Sequence, residues 1–173
     1  MKFIPKPLVI NCSLLVSTVL FCFGAAEVIS RVFIPDAVFR YKEWRTYSAM
    51  LKSDPVLRRV LIPNYKGSVI GNRVNFSVDI NSKGLRDREF PYEKEDGVYR
   101  ILFVGDSFVF GYGLEPEQSF PKLLEKKLQE HHKSKKIEVI NVGVTGWGSS
   151  QELDFIKLEA EKYKPDAILV GFF

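Results

Sequence analysis

The residues best placed to do chemistry are Gly105-Asp106-Ser107, which close the short apolar run Ile101-Leu102-Phe103-Val104. A continuous apolar run that stops at glycine suits a strand buried on both faces. In open α/β sheets ligands bind beyond the carboxyl ends of the strands, so a serine at that position presents its hydroxyl to the edge of a crevice. The chemistry such a serine supports is acyl transfer. Its oxygen attacks a carbonyl, and its own backbone N–H helps to hold the oxyanion that forms. Gly105, Gly111 and Gly113 supply close backbone approach or positive φ around it. Asp106 reads as a turn carboxylate that accepts from nearby backbone N–H groups. As a triad acid it would have no imidazole to orient.

A serine nucleophile needs a base, and the chain holds two histidines, His131 and His132. Both fall at the end of a predicted helix that starts near the carboxyl ends of the strands and runs away from them. About twelve residues at ~1.5 Å each carry them roughly 18 Å from the serine, whereas a base must lie within about 3 Å or act through one water. They read instead as exposed residues at a helix C-terminus, where partial positive charge opposes the dipole. The same holds for the basic run Lys133 to Lys136. Tyr112 and Trp147 flank the expected crevice, where lining an acyl or sugar pocket and ordinary packing explain them equally well.

The elements that must position these residues follow from hydrophobic period. Phe120, Leu123, Leu124 and Leu128 fall near helical spacing and predict a helix over 120–132. Val139 to Gly143 predicts a second strand, 151–163 a second helix, and Ala167 to Val170 a third strand. Strand and helix alternating through short turns predict a parallel, doubly wound α/β sheet. Upstream, Val74, Phe76, Val78 and Ile80 alternate with polar residues as in a half-buried strand, and Asn81-Ser82-Lys83-Gly84 supplies a turn. Residues 36–66 show no sustained period and read as a helix over 39–50 followed by loop. There are no internal repeats or low-complexity tracts.

The run from Ile101 to Gly113 closely resembles the first conserved block of SGNH (GDSL-type) hydrolases, and Asn141-Val142-Gly143-Val144-Thr145-Gly146 resembles the second. Ser149-Ser150-Gln151 and Tyr163-Lys164-Pro165-Asp166 also fit that family, over about residues 81–173. The resemblance implies a flavodoxin-like fold, ester hydrolysis without a cofactor or metal, Ser107 as nucleophile and oxyanion donor, and Gly146 as a second oxyanion N–H. Asp106, Tyr112 and Trp147 are the accompanying candidates for binding. Val109 stands where many members carry threonine, a position outside the catalytic four. The family's third oxyanion donor, an asparagine after the third strand, and its later Asp-x-x-His block find no match in this chain. The expectation is therefore the front part of an SGNH domain, lacking its catalytic Asp, His and oxyanion Asn.

Leu8 to Ala26 is free of charge, about 19 residues and near the length that crosses a bilayer core as a helix. Lys2 and Lys6 precede it, while Glu27 and Arg31 follow, so the expected topology is single-pass, with the N-terminus cytoplasmic and the remainder extracytoplasmic. A cleavable signal peptide is the rival, because Gly24-Ala25-Ala26 offers small residues for cleavage. The helical pattern running on to Pro35 favours an uncleaved anchor. Cys12 and Cys22 both lie in this segment, which leaves the rest of the chain no thiol for a disulfide, a redox centre or a Cys-ligated zinc. Cys22 follows Leu20-Phe21 rather than the small residue of a lipoprotein signal.

The 173 residues, 46% apolar and 27% charged, are those of a folded protein of one domain plus an anchor. A net charge of +4 spread among acidic residues calls for no nucleic acid. The expected division is 1–35 as anchor, 36–98 as an extracytoplasmic extension with a β segment, and 99–173 as the incomplete hydrolase domain. The expected partners are the membrane, through the N-terminal helix, and an ester such as an O-acylated glycan or lipid. Two other functions compete: a noncatalytic membrane-anchored scaffold with this fold, and an O-acyltransferase-related protein.

Overall fold

The computed structural model describes residues 6–33, 36–71 and 74–172. The chain divides into two compact units, Met1–Tyr41 and Lys42–Phe173. The first holds helix α1, Lys6–Phe33. Its stretch Ile10–Phe33 is 24 residues, none of its most apolar window is buried, and it is long and apolar enough to cross a membrane. Near its end Arg31 pairs with Glu27 one turn earlier, at 2.8 Å. Cys12 and Cys22 are exposed and unbridged. Lys2 and Pro35, which bear on the expected topology and on where the helix stops, lie outside the described residues.

Helix α2, Asp36–Ser48, crosses the division between the units. Its second half is fixed within the second unit by three side chains on one face. Tyr112 Oη donates to Glu43 at 2.7 Å, the Ile70 N–H donates to Thr46 Oγ1 at 3.1 Å, and Tyr47 Oη donates to the Thr145 carbonyl at 3.1 Å. Two antiparallel hairpins follow: β1 (Leu51–Asp54) with β2 (Arg58–Leu61), and β3 (Lys66–Ile70) with β4 (Asn75–Asp79). The β4 strand answers the alternation of 74–80, with Phe76 and Val78 buried. The first hairpin corrects the loop expected after residue 50. Its strands have four residues each, too few for a period to register. Asp54 makes the turn, accepting the Val56 and Leu57 N–H groups at 2.9 and 2.8 Å, and Arg58 takes φ +60°.

The remainder alternates strand and helix: β5 (Val98–Gly105), α3 (Ser107–Phe110), α4 (Phe120–His131), β6 (Lys136–Gly143), α5 (Ser149–Leu158) with a 3-10 turn to Tyr163, and β7 (Ala167–Gly171). The three strands form a parallel sheet in the order β6-β5-β7. The β5–α4–β6 connection runs one way along the sheet and the β6–α5–β7 connection returns across β5, so the strand order reverses beside β5, the kind of position where ligands bind in open α/β sheets. Ile101, Ile137 and Val139 on one face pack with Leu124 and Leu128 of α4, while Leu102, Val104, Ile140 and Val142 on the other share a core with Phe155 of α5. The hairpins add Leu61, Val69, Phe76 and Val78 to that second, larger core.

The two sheet edges differ. Along the outer side of β6 the N–H groups of Ile137, Val139, Asn141 and Gly143 donate to side-chain oxygens of Gln129, Glu125, Asp87 and Asn141, at 2.9, 2.6, 2.8 and 2.9 Å. An edge capped in this way offers no ladder to another strand. Strand β7, by contrast, leaves Ile168, Leu169 and Val170 exposed.

Candidate active site

Three glycines lie in register across the carboxyl ends of the sheet, Gly143 and Gly171 each pairing with Gly105. Each is required by close approach of α3. A Cβ at Gly143 would lie 2.5 Å from both the Phe110 Cα and the Val109 carbonyl carbon, and one at Gly171 would lie 2.7 Å from Val109 Cγ2. At Gly105 a Cβ would strike the Gly171 carbonyl and Val109. The short helix therefore sits directly on the strand ends with Val109 and Phe110 buried against them, and it opens with Ser107. A signal for this was present in the sequence: all three strands end in Val-Gly, at 104–105, 142–143 and 170–171.

Asp106 caps α3, its carboxylate accepting the Phe108 N–H at 2.8 Å, and Gly111 closes the helix in the left-handed region at φ 78°. Ser107 is half-buried, and its carbonyl accepts the N–H groups of Gly111 and Tyr112. Its hydroxyl and its backbone N–H have no hydrogen-bond partner among the described residues. Beyond β6, the Val144 N–H donates to the Gly105 carbonyl at 3.0 Å, which brings the 144–146 turn beside the 105–107 turn. Gly146 is exposed at φ +83°, a conformation that glycine adopts without strain, and its N–H is likewise unpartnered among the described residues. Two free backbone donors and one free hydroxyl thus lie in turns that follow the adjacent strands β5 and β6.

Tyr112 is half-buried, edge-on to both Tyr47 and Phe76. Burial and the Glu43 carboxylate beside it hold its hydroxyl well above the ordinary phenol range. Trp147 is buried against Phe155, and its indole N–H donates to the Arg59 carbonyl at 2.7 Å. His131 stands in the last turn of α4, with Nδ1 2.8 Å from the Lys127 carbonyl, close to where the chain enters β6 opposite Val98. Eight residues of β5 at ~3.3 Å each separate that end from Ser107. Neither histidine shares the site.

Four buried charged residues support this end of the molecule, and none was legible as such in the sequence. The Arg86 guanidinium, 2% exposed, donates to the carbonyls of Phe110, Gly111 and Leu114 after α3 and to Ser77 of β4, at 3.2, 2.9, 2.8 and 2.6 Å. It is stacked between the Phe76 and Phe110 rings. Burial pulls it down to about 10, opposed by the Glu115 carboxylate, so it stays charged at neutral pH. Asp87 and Lys122 form an ion pair at 2.6 Å behind β6, both side chains at least nine-tenths buried. Glu152, in the first turn of α5 and 3% exposed, is raised above the usual carboxylate range by burial and by the neighbouring Asp106. Among the described residues no group of three His, Cys, Asp or Glu side chains is arranged to hold a metal ion.

A mixed α/β unit whose small parallel sheet carries a capped serine turn at its switch point is the class of protein defined here. No family model matches the chain. No curated protein matches it. Among solved structures it is similar to AlinE4, an SGNH-hydrolase family esterase, with 34% identity over 45% of this chain and 43% of that one and a TM-score of 0.37. It is similar also to two point mutants of that esterase, one with the same figures and one at a TM-score of 0.38 over 44% of this chain and 41% of that one. The chain thus spans less than half the length of the structures it matches.

Proposed function

We propose that this chain carries the nucleophile half of a serine ester hydrolase of the SGNH type. The observation that supports this most is that the Ser107 hydroxyl and the N–H groups of Ser107 and Gly146 are unpartnered among the described residues, in turns that follow adjacent strands. In the reaction, Ser107 Oγ attacks the ester carbonyl, the two N–H groups receive the oxyanion, and the alkoxide leaves as the acyl-serine forms. Water then releases the acid. The proton of Ser107 must pass to a base, and the two histidines of these 173 residues stand at the far end of the sheet. The resemblance implies a catalytic His and Asp and an oxyanion Asn, and no described residue stands beside Ser107 in those roles. Asp106 acts as the helix cap of the serine turn, while Tyr112 and Trp147 fix the walls around it.

The long apolar α1 supports a single-pass anchor with the hydrolase unit on the extracytoplasmic side, acting on an O-acylated glycan or a lipid ester. In this reading the division is 1–35 anchor, 36–98 extension and 99–173 hydrolase. A fluorophosphonate applied to membranes that hold the natural protein tests it. The expected adduct is on Ser107, and the purified 173-residue chain should take label no faster than Ser107→Ala. An adduct on another serine, or acetate-ester hydrolysis that survives Ser107→Ala in those membranes, would overturn the proposal.

A further inference from the structure

Beside Gly146 stands a group that the hydrolytic reading does not use. A Cβ at Gly146 would lie 2.7 Å from Nη1 of Arg59, so the guanidinium of β2 rests on the glycine that the hydrolase reading makes an oxyanion donor. This adjacency is built at two points. The Trp147 indole holds the Arg59 carbonyl at 2.7 Å, and Tyr47, which donates to the Thr145 carbonyl, accepts from Arg59 Nη1 at 3.4 Å. The second contact is long, and the guanidinium is otherwise exposed, with no carboxylate partner among the described residues. Arg88 and Arg100, by contrast, pair with carboxylates, and Arg86 donates to four carbonyls. The groove it enters, about 350 Å³, is walled by Trp44 and Tyr47, carries Lys52 as a second cation, and has no acidic residue in its lining.

An arginine fork with free donors, a lysine and two aromatic walls form a recognition surface for a carboxylate or phosphate group. Resting that surface on Gly146 places it next to where the ester oxyanion would be held. We infer that Arg59, with Lys52, is an anion-recognising subsite that selects esters bearing a carboxylate or phosphate close to the scissile carbonyl. The inference rests on the hydrolase reading and adds the substrate's charge to it. Arg59 is a specificity residue here, since the reacting atoms are the concern of Ser107 and Gly146.

Boronic acids test it without requiring a protein base, because the serine oxygen adds to boron and releases its proton to the buffer, giving a tetrahedral anion that resembles the oxyanion. The detergent-solubilised full chain is titrated with phenylboronic acid and with its 3- and 4-carboxy derivatives, followed by the amide resonances of Ser107 and Gly146. At least one carboxy isomer should bind about tenfold more tightly than the parent compound, as one charge-assisted pair supports. The ratio should fall to near one in Arg59→Gln, fall by less in Lys52→Gln, recover in part in Arg59→Lys, and shrink at high salt. Equal affinities in the wild-type chain, or a ratio that Arg59→Gln leaves intact, overturn the subsite alone. Binding of phenylboronic acid that is indifferent to Ser107→Ala overturns the hydrolase reading instead.

Discussion

Replacing Gly143 by alanine probes how α3 is seated. The added methyl would be 2.5 Å from the Phe110 Cα and the Val109 carbonyl carbon, both backbone atoms that no rotamer change can move. The Phe110 nitrogen would be closer still, and ordinary van der Waals contact begins at 3.4 Å, so α3 or the end of β6 must shift by more than about 0.9 Å (3.4 less 2.5). Overpacking of a filled site costs about 1–3 kcal/mol. The upper part of that range, about 2–3 kcal/mol, is expected because the obstacle is main chain wedged between three strand ends. At about 3–4 °C per kcal/mol for a unit of this size, the midpoint should drop by roughly 6–12 °C. The serine at the start of α3 moves with the helix, and a displacement near 1 Å costs about a hundredfold in well-aligned chemistry. The assay is thermal and urea unfolding of the full chain in detergent, followed by Trp fluorescence. Gly148→Ala serves as the control. Its nearest neighbour would be Gln151 Oε1 at 3.7 Å, and its φ of −124° suits any residue, so a change within about 0.5 kcal/mol is expected. If Gly143→Ala matched Gly148→Ala, the contact of α3 with the strand ends would be wrong.

Arg86→Met keeps volume but strands four carbonyls in a buried site, and a loss of about 3–5 kcal/mol in urea unfolding is expected, with Arg86→Lys recovering only part; a loss under about 1 kcal/mol would refute the clamp. Ser107→Ala should leave the midpoint within about 0.5 kcal/mol, since the hydroxyl holds nothing in place, and a large loss would contradict its being free. For Glu152 the folded state raises the carboxyl, so its contribution is greatest below about pH 4.3 and is lost as pH rises through the folded value. Glu152→Gln should therefore gain stability relative to wild type between about pH 4 and pH 7, and a difference that is flat or reversed would rule this out. Asp166 has the opposite sign. The Lys94 ammonium and the Arg100 N–H hold it low, so its contribution is present above about pH 3.9 and lost in more acid solution. The deficit of Asp166→Asn should shrink as pH falls below that value.

The half of the molecule after residue 98 was legible because its elements are long and periodic. Ile101 to Val104 and Val139 to Val142 are continuous apolar runs, and Leu124 and Leu128 keep helical spacing. The three-stranded parallel sheet and its helices follow from that pattern. The first hairpin and strand β3 were not legible, because a four-residue strand such as Leu51–Asp54 carries no period and its partner is selected by tertiary packing. Buried charges were invisible for a different reason. Arg86, Asp87, Lys122 and Glu152 read as surface residues, as most charged residues are, until the fold brings their partners from dozens of positions away. Arg59 is exposed, but its place beside Gly146 was hidden by the same sequence distance, with 86 residues of chain between the two.

The central claim is that Ser107, its own N–H and the Gly146 N–H act on one tetrahedral group, and boron-11 NMR of the full chain with phenylboronic acid measures it most directly. A tetrahedral boron signal should appear together with shifts of the Ser107 and Gly146 amides, and both should vanish in Ser107→Ala. A tetrahedral signal that persists in Ser107→Ala, or that forms while the Gly146 amide stays unmoved, would contradict the account.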